Sequence, residues 1–191
     1  MVKLLFLAGS TREASLNKKL AVVAAKKAKD LGVDAMFVDL KEFEMPIYNG
    51  DLEDRQGLPE GAKKLKKLFV EADGFFIASP EYNSSFSALL KNALDWISRS
   101  EDKDEQPLSA YKGKVAALAA VSPGGYGGMR GLVPLRMMLG NIGVTVIPSQ
   151  MAVPSGFDAF DDKGGLIKEG QQKMLLNLLQ EFVSTTKALA R

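Results

Sequence analysis

Five polar side chains with phosphate-binding chemistry stand close together near the start of the chain, in the segment GSTREASLNKKL (residues 9–20). Arg12 supplies a guanidinium and Asn17 an amide. The hydroxyl groups come from Ser10, Thr11 and Ser15. Such groups are donors that proteins use to hold phosphate oxygens. This combination of residue types predicts a phosphate-binding loop.

The elements on either side of this segment suit that role. Residues 2–8 are almost wholly apolar without alternation, which predicts a strand buried on both faces. Ser15 suits the N-cap of a helix that runs with helical spacing to Leu31 and stops at Gly32. A turn from strand to helix presents the first free N–H groups of the helix, and these attract an anion.

Length and composition limit the possible functions. A chain of 191 residues can bury one substantial core, and no break in composition divides it, so we predict a single domain over residues 1–191. A net charge of +2 does not indicate a nucleic-acid partner. With no signal sequence and no apolar run long enough to span a bilayer, we expect no membrane insertion and a cytoplasmic location.

The chain contains neither cysteine nor histidine. Ser-His-Asp and Cys-His catalysis, histidine general bases and the usual zinc ligand sets are therefore excluded. A low-molecular-weight phosphatase, which places a similar loop here, needs a cysteine nucleophile and is excluded too. The Gly-Lys-Ser/Thr triplet of a Walker loop and the Gly-x-Gly-x-x-Gly dinucleotide fingerprint are also absent.

Strands and helices are predicted to alternate along the rest of the chain. The predicted strands are 34–40, 74–78, 114–121 and 144–147, the predicted helices are 61–72, 87–97, 129–142 and 168–189, and residues 41–59 are predicted to be an irregular surface connection. Such alternation is typical of a parallel sheet between helices, with ligands beyond the carboxyl ends of the strands.

Two further loops follow predicted strands at that edge of the sheet. SPEYNSS (residues 79–85) offers Glu81 and Asn83 for hydrogen bonds and the Tyr82 ring for a flat heterocycle. SPGGYGG (residues 122–128) surrounds Tyr126 with glycines, which permits close backbone approach to a ligand. We therefore expect one pocket with phosphate at the first loop and a planar ring between the other two.

These motifs resemble a known family. GSTREASLNKKL is similar to the Gly-Ser-x-Arg-x-x-Ser-x-Asn-x-x-Leu pattern of the NADPH-dependent FMN reductases, a flavodoxin-like group that includes quinone, chromate and azo-dye reductases. SPEYNSSFSALLKNALDW resembles the family's Pro-Glu-Tyr-Asn motif and the helix behind it, and the family pattern covers roughly residues 1–150. The resemblance implies a flavodoxin-like, doubly wound α/β fold with a five-stranded parallel sheet of order 2-1-3-4-5 and helices on both faces.

The resemblance also implies FMN as cofactor, NADPH or NADH as reductant, and a set of binding residues. The FMN phosphate would be bound by Ser10, Arg12, Ser15 and Asn17 with backbone amides near Leu16. The isoalloxazine and ribityl region would be lined by Pro80, Glu81, Tyr82, Asn83 and Ser84, and the pyrimidine side of the ring by Ser122, Gly124 and Gly125. Many members carry Pro-Gly where this chain has Ser87 and Ala88, which changes the start of the third predicted helix.

Because the side chains offer no acid, base or metal cluster for the reaction, the cofactor would carry the chemistry, and we predict no catalytic residue and no metal site. Hydride would pass from NAD(P)H to flavin N5 and on to a quinone, flavin, azo, nitro or metal-oxyanion acceptor. Two alternatives are a flavodoxin-type electron carrier and a binding or regulatory protein without turnover. The near-neutral charge disfavours the carrier, since such carriers tend to be strongly acidic for docking.

Helices three and four carry more large apolar side chains than one buried face needs, which indicates a homodimer, and the family resemblance implies a homotetramer as the alternative. The side chains concerned are Trp96, Leu135, Met137, Met138 and Leu139, and such an assembly would place Tyr126 or Arg99 near a neighbour's pocket. Trp96 suits either a core or an interface. The lysines at 63, 64, 66 and 67 are typical of a solvated helix face, and the acidic run 101–105 of an exposed loop.

Overall fold

A computed structural model describes residues 1–190 and contains one parallel sheet of five strands. The strands are β1 (Lys3–Ala8), β2 (Asp34–Val38), β3 (Gly74–Ala78), β6 (Val115–Val121) and β7 (Thr145–Val153), in the order β2-β1-β3-β6-β7. The short strands β4 (Glu81–Tyr82) and β5 (Ser85–Phe86) pair only with each other. Numbered within the main sheet alone, the order is 2-1-3-4-5, and the predicted topology is confirmed.

The described residues form six α-helices, five of which cover the two faces of this sheet. They are α1 (Leu16–Lys29), α2 (Gly50–Gln56), α3 (Glu60–Glu71), α4 (Ala88–Ile97), α5 (Met129–Asn141) and α6 (Glu169–Leu189). One hydrophobic cluster joins the sheet to α1 and α6, and a second joins the opposite face to α3, α4 and α5. Because both faces are covered, the central strands carry apolar side chains at successive positions and not only at alternate ones.

The connection over residues 41–59 is more ordered than predicted. It contains α2, which Asn49 caps by accepting from the Asp51 and Leu52 amides and which ends at Gly57 with a φ of 69°. Seven residues are too few to show a helical period, which is why the sequence pattern missed this helix. The connection is fixed to α4, because Trp96 Nε1 donates to the Pro46 carbonyl at 2.7 Å.

The last strand of the sheet is longer than the predicted 144–147. Pro148 and the polar residues after it end the apolar run, but an edge strand needs hydrogen bonds on one side only and tolerates a proline. The register of β6 against β7 shifts between Ala116 and Leu118. From α5, the Arg136 guanidinium donates to the Ile147 carbonyl at 2.8 Å and supports this irregular stretch.

Three of the apolar side chains assigned to a subunit interface are instead buried within the chain. Trp96, Leu135 and Leu139 are fully covered by the chain's own core, so their part in the interface prediction is wrong. Of the rest, Met137 is exposed and Met138 half-buried. Arg99 donates to the Glu53 carboxylate at 2.9 Å within its own chain.

One lysine of α3 is not on the solvated face predicted for it. The Lys66 side chain is only 3% exposed, and its Nζ donates to the Arg99 carbonyl at 2.7 Å and to the Glu105 carboxylate at 2.5 Å. Burial alone would raise the pKa of Glu105. Hydrogen bonds from Lys66 and Ser109 outweigh it, so that the pKa of Glu105 lies below its ordinary value of 4.5.

We expect Glu105→Gln to destabilise the protein at neutral pH by an amount that shrinks in acid. A carboxylate with a lowered folded-state pKa stabilises the fold above its unfolded pKa, and this contribution is lost as the pH falls through the folded value. Urea unfolding of wild type and variant between pH 7 and pH 3 measures the difference. Glu44→Gln, at an exposed position, is the control; a pH-independent difference for Glu105→Gln would contradict the expectation.

Candidate functional site

The loop between β1 and α1 leads into a helix end whose first backbone N–H groups are free. Ser15 is the N-cap of α1, and its hydroxyl accepts from the Lys18 amide at 3.3 Å. Among residues 1–190, no acceptor pairs with the Leu16 or Asn17 backbone N–H, and the first turn of α1 carries no acidic residue. Free N–H groups at the positive end of a helix dipole favour a negatively charged ligand.

The side chains of this phosphate loop (residues 9–15) are arranged around that helix end. Ser10 is buried, and its hydroxyl accepts from the Arg12 amide at 3.4 Å. Lys18 fixes the position of the loop, because its Nζ donates to the Thr11 carbonyl at 3.3 Å and to the Asp39 carboxylate at 2.6 Å. The exposed Arg12 side chain forms no ion pair within the described part of the chain, so its guanidinium is available to a ligand.

Asn17 makes contacts that the sequence could not show. Its side chain is buried; Nδ2 donates to the Val121 carbonyl at 3.0 Å, and Oδ1 accepts from the Val121 amide at 2.9 Å. The amide therefore joins the start of α1 to the end of β6, from which the glycine loop (residues 122–128) continues. The phosphate contact predicted for Asn17 stays a prediction, and the structure adds this connection between two loops.

The loop after β3 is a hairpin. Glu81 pairs with Phe86 and Tyr82 with Ser85, so the turn consists of Asn83 and Ser84 alone. Their φ angles are 52° and 65°, as a type I′ turn requires. Strands of two residues leave no period in a sequence, and the pattern therefore did not predict the hairpin. Tyr82, Asn83 and Ser84 are exposed, while Pro80 is buried.

We expect Ser84→Gly to raise the free energy of unfolding by about 0.5–1 kcal/mol, because glycine removes the cost of a positive φ from this turn. Chemical denaturation of the cofactor-free protein measures the change. Ser85→Gly, one residue later in β5, should instead lower stability, since glycine weakens a strand. Equal effects of both substitutions would contradict the proposed turn strain.

The Glu81 carboxylate is engaged at the start of α5. It accepts from the Arg130 amide at 3.0 Å, from the Gly131 amide at 3.3 Å and from Arg130 Nε at 2.9 Å. A carboxylate at a helix N-terminus is stabilised by the helix dipole. Glu81 therefore fixes the hairpin to α5. Because its carboxylate is engaged in these bonds, the lining role predicted for Glu81 falls to its backbone and to the rest of its side chain.

The glycine loop needs glycine at positions other than those singled out from the sequence. Gly127 and Gly128 have φ angles of 61° and 86°, and a Cβ on Gly127 would lie 2.7 Å from the Val153 backbone. Gly125 has nothing within 4 Å of a Cβ position, and Gly124 has only the Ser122 hydroxyl at 3.9 Å. Backbone conformation and packing thus require glycine at positions 127 and 128. The predicted cofactor-binding glycines, Gly124 and Gly125, border open space.

Ser87, where many members of the resembling family have proline, has a defined function in the fold. It is the N-cap of α4, and its hydroxyl donates to the Gly9 carbonyl at 2.6 Å. A Cβ on Gly9 would lie only 3.0 Å from that hydroxyl oxygen, so the glycine permits this contact. The serine that replaces the family's proline therefore joins the phosphate loop to α4 through this hydrogen bond.

The three loops meet around a cleft of about 130 Å³ at the carboxyl edge of the sheet. Of the predicted residues, those lining it are Ser10, Arg12, Ser15, Leu16, Asn17, Pro80, Glu81, Tyr82 and Ser122. Asn83, Ser84, Gly124 and Gly125 lie in the same loops but do not line the cleft. Phe157, from the connection after β7, lines it and was not predicted.

No helix of residues 1–190 has both the length and the apolar content to cross a membrane. No group of three or more acidic side chains is arranged to hold a metal ion in that part of the chain.

Comparison with known proteins agrees with the fold and with the loop motifs. The chain is 32% identical over 181 residues to an NAD(P)H-dependent FMN reductase of Pseudomonas aeruginosa, covering 94% of this chain and 92% of that protein. It is 30% identical to a 2-hydroxy-1,4-benzoquinone reductase of a Burkholderia species, covering 96% and 95%. The solved structure of the flavoenzyme NAD(P)H:(acceptor) oxidoreductase FerB of Paracoccus denitrificans superposes with a TM-score of 0.81 at 28% identity and covers 99% of each chain.

The sequence model of the NADPH-dependent FMN reductase family matches residues 2–158. This range contains all three loops of the cleft and Phe157. This is most of the chain, and relatives of at least 30% identity match over nearly its whole length. The chain therefore belongs to the NADPH-dependent FMN reductase family, whose members are flavodoxin-like oxidoreductases.

Proposed function

We propose that this protein binds FMN in the cleft and uses NAD(P)H to reduce a small-molecule acceptor. The observation that carries the proposal is the convergence of the free helix end at Leu16, the unpaired Arg12 guanidinium and the Tyr82 ring on one cleft. An anionic phosphate fits the first two groups, and a flat ring system fits the third together with the open glycine loop.

When bound, FMN would supply the chemistry of accepting and donating hydride. The chain's own residues bind and orient it. Arg12 and the N-terminus of α1 offset the phosphate charge, while the hairpin and the glycine loop enclose the ring region. The backbone N–H groups of Gly124 and Gly125, which have no acceptor within residues 1–190, are suited to stabilise negative charge on the pyrimidine side of the ring. No side chain is assigned as acid or base.

The acceptor we propose first is a quinone. The support is the benzoquinone reductase among the relatives, together with a cleft whose rim is open to a planar molecule. Because both would reach the cofactor through the open face of the cleft, the nicotinamide would have to leave before the acceptor binds. Free flavins, azo and nitro compounds and metal oxyanions are further candidates, because they need only access to that face.

Purified protein mixed with FMN, NADPH and 1,4-benzoquinone tests the proposal. We expect bound flavin in the absorption spectrum and NADPH oxidation that requires protein, FMN and quinone together, with NADH as a parallel arm. Bound flavin without NADPH oxidation would indicate the electron-carrier alternative. No bound flavin would contradict the proposal and favour a binding or regulatory protein without turnover.

We further propose that the enzyme acts as a homodimer or homotetramer through the outer face of α5. Met129, Val133 and Met137 are exposed at helical spacing, and the exposed Tyr126 of the glycine loop precedes them. The cleft is also smaller than the roughly 300 Å³ at which small-molecule sites begin. A second copy that also covers Tyr126, in the same loop as the cleft residues Ser122 and Pro123, would extend its wall. Sedimentation should show an oligomer that Val133→Glu dissociates; a monomeric wild type would contradict this.

A further inference from the structure

Phe157 exposes an aromatic side chain to solvent at the edge of the cleft. The residue is 76% exposed although it lines the cleft together with Val121, at the buried end of β6. Exposed single apolar residues are common on surfaces, so exposure alone assigns no role. The backbone that carries the ring adds a second observation.

The turn that carries Phe157 is strained and tightly fitted. Ser155 has a φ of 52°, a left-handed conformation that costs stability for a residue other than glycine. At Gly156, a Cβ would lie 2.7 Å from Leu16 Cδ1 and 2.7 Å from Val121 Cγ1, so a larger residue there would have to displace these side chains. Residues with such strained backbone angles cluster at active sites and ligand-binding segments.

The turn is attached to the two loops that the proposed function assigns to the cofactor. The Gly156 amide donates to the Ser122 carbonyl at 3.0 Å, at the start of the glycine loop. Gly156 also packs on Leu16, at the start of α1, where the phosphate loop ends. Phe157 is therefore held between the phosphate side and the ring side of the cleft, independently of the hairpin that carries Tyr82.

Resting on the proposed FMN site, we infer that Phe157 is a binding residue that forms a fourth wall of the cleft and packs against the flavin nucleotide beside its phosphate. Its ring adds apolar contact to a ligand that the phosphate loop anchors by charge. The same contact explains why an exposed ring is kept on a strained turn, since a bound ligand covers it. An aromatic side chain is suited to this position because it offers a rigid flat surface.

Flavin fluorescence titration of the purified protein tests this inference. We expect Phe157→Ala to raise the Kd for FMN about tenfold and the Kd for riboflavin by the same factor, because the contact does not involve the phosphate charge. Phe157→Tyr should retain wild-type affinity. Ile167→Ala removes another exposed apolar side chain from the same connection outside the cleft and should change neither Kd.

Three results would overturn the inference. The first is an unchanged Kd for both flavins in Phe157→Ala; the second is an unchanged Kd with a raised KM for the quinone, which would assign the ring to the acceptor. The third is a changed sedimentation coefficient with unchanged flavin affinity, which would assign it to a contact between copies. Failure of the proposed function is distinguishable from all three, because the wild-type protein itself would then bind no FMN.

Discussion

Replacing Arg12 with alanine should raise the Kd for FMN about 30-fold, which corresponds to about 2 kcal/mol of binding free energy. The Arg12 guanidinium is exposed and without an ion pair in the described chain, and it stands beside the free N–H groups that begin α1. A guanidinium that meets a phosphate makes charge-assisted hydrogen bonds, which are stronger than those between neutral groups. Its loss should not disturb the fold, since no described residue depends on it.

Titration with FMN and with riboflavin separates the phosphate contact from all others. Arg12→Ala should weaken FMN binding and leave riboflavin binding unchanged, in contrast to the parallel losses expected for Phe157→Ala. Lys41→Ala is the matched control, because Lys41 is a nearby exposed cation that already pairs with Glu13 at 3.1 Å. If Arg12→Ala and Lys41→Ala lowered FMN affinity equally, the effect would be one of net charge and no specific phosphate contact would exist.

Arg12→Lys refines the same experiment. Lysine keeps the positive charge but presents a single ammonium where arginine presents a planar fork that matches two phosphate oxygens. We expect an intermediate Kd and a stronger dependence of that Kd on salt. A lysine variant with full wild-type affinity would show that position and charge suffice, without paired hydrogen bonds.

The parts of the fold that the sequence predicts are those set by local signals. The apolar run before Gly9, the N-cap at Ser15 and the stop near Gly32 lie within a few residues of what they control. The three loops could be placed at one edge because a parallel sheet with helical crossovers brings the carboxyl ends of its strands together. The order of the strands came from the family resemblance, since no local pattern encodes it.

The parts that the sequence did not predict depend on partners far along the chain or on very short elements. Lys66 is buried because the Arg99 carbonyl and the Glu105 carboxylate surround it, and nothing adjacent in sequence indicates this. Phe157 was missed because the last strand was expected to end at residue 147, which left its loop away from the site. Gly127 is required by the backbone of Val153, a contact that only the folded sheet creates.

Asn17 has both a local sequence signal and contacts far along the chain. Of the substitutions considered, its replacement should lower the stability of the protein most. The sequence marks it as a polar residue at the start of a helix, but its two hydrogen-bond contacts are with Val121, 104 positions away. We expect Asn17→Leu to lower the free energy of unfolding by about 2–4 kcal/mol, because a side chain of similar size leaves the Val121 N–H and C=O buried without partners. Urea unfolding of the cofactor-free protein measures this loss.

The same substitution should also weaken flavin binding, which an ordinary core defect would not do. Val121 leads directly into the glycine loop, so the loss of its two hydrogen bonds to Asn17 frees that loop from α1 and from the phosphate site. Asn177→Leu, at an exposed position of α6, should change stability by less than about 0.5 kcal/mol and leave the Kd for FMN unaltered. If Asn17→Leu is destabilised yet binds FMN as wild type does at a temperature where it is fully folded, the connection serves the fold alone. A joint loss of stability and of affinity for both FMN and riboflavin would instead identify Asn17 as the residue that positions the two halves of the cleft, whereas an affinity loss for FMN alone would indicate its predicted phosphate contact.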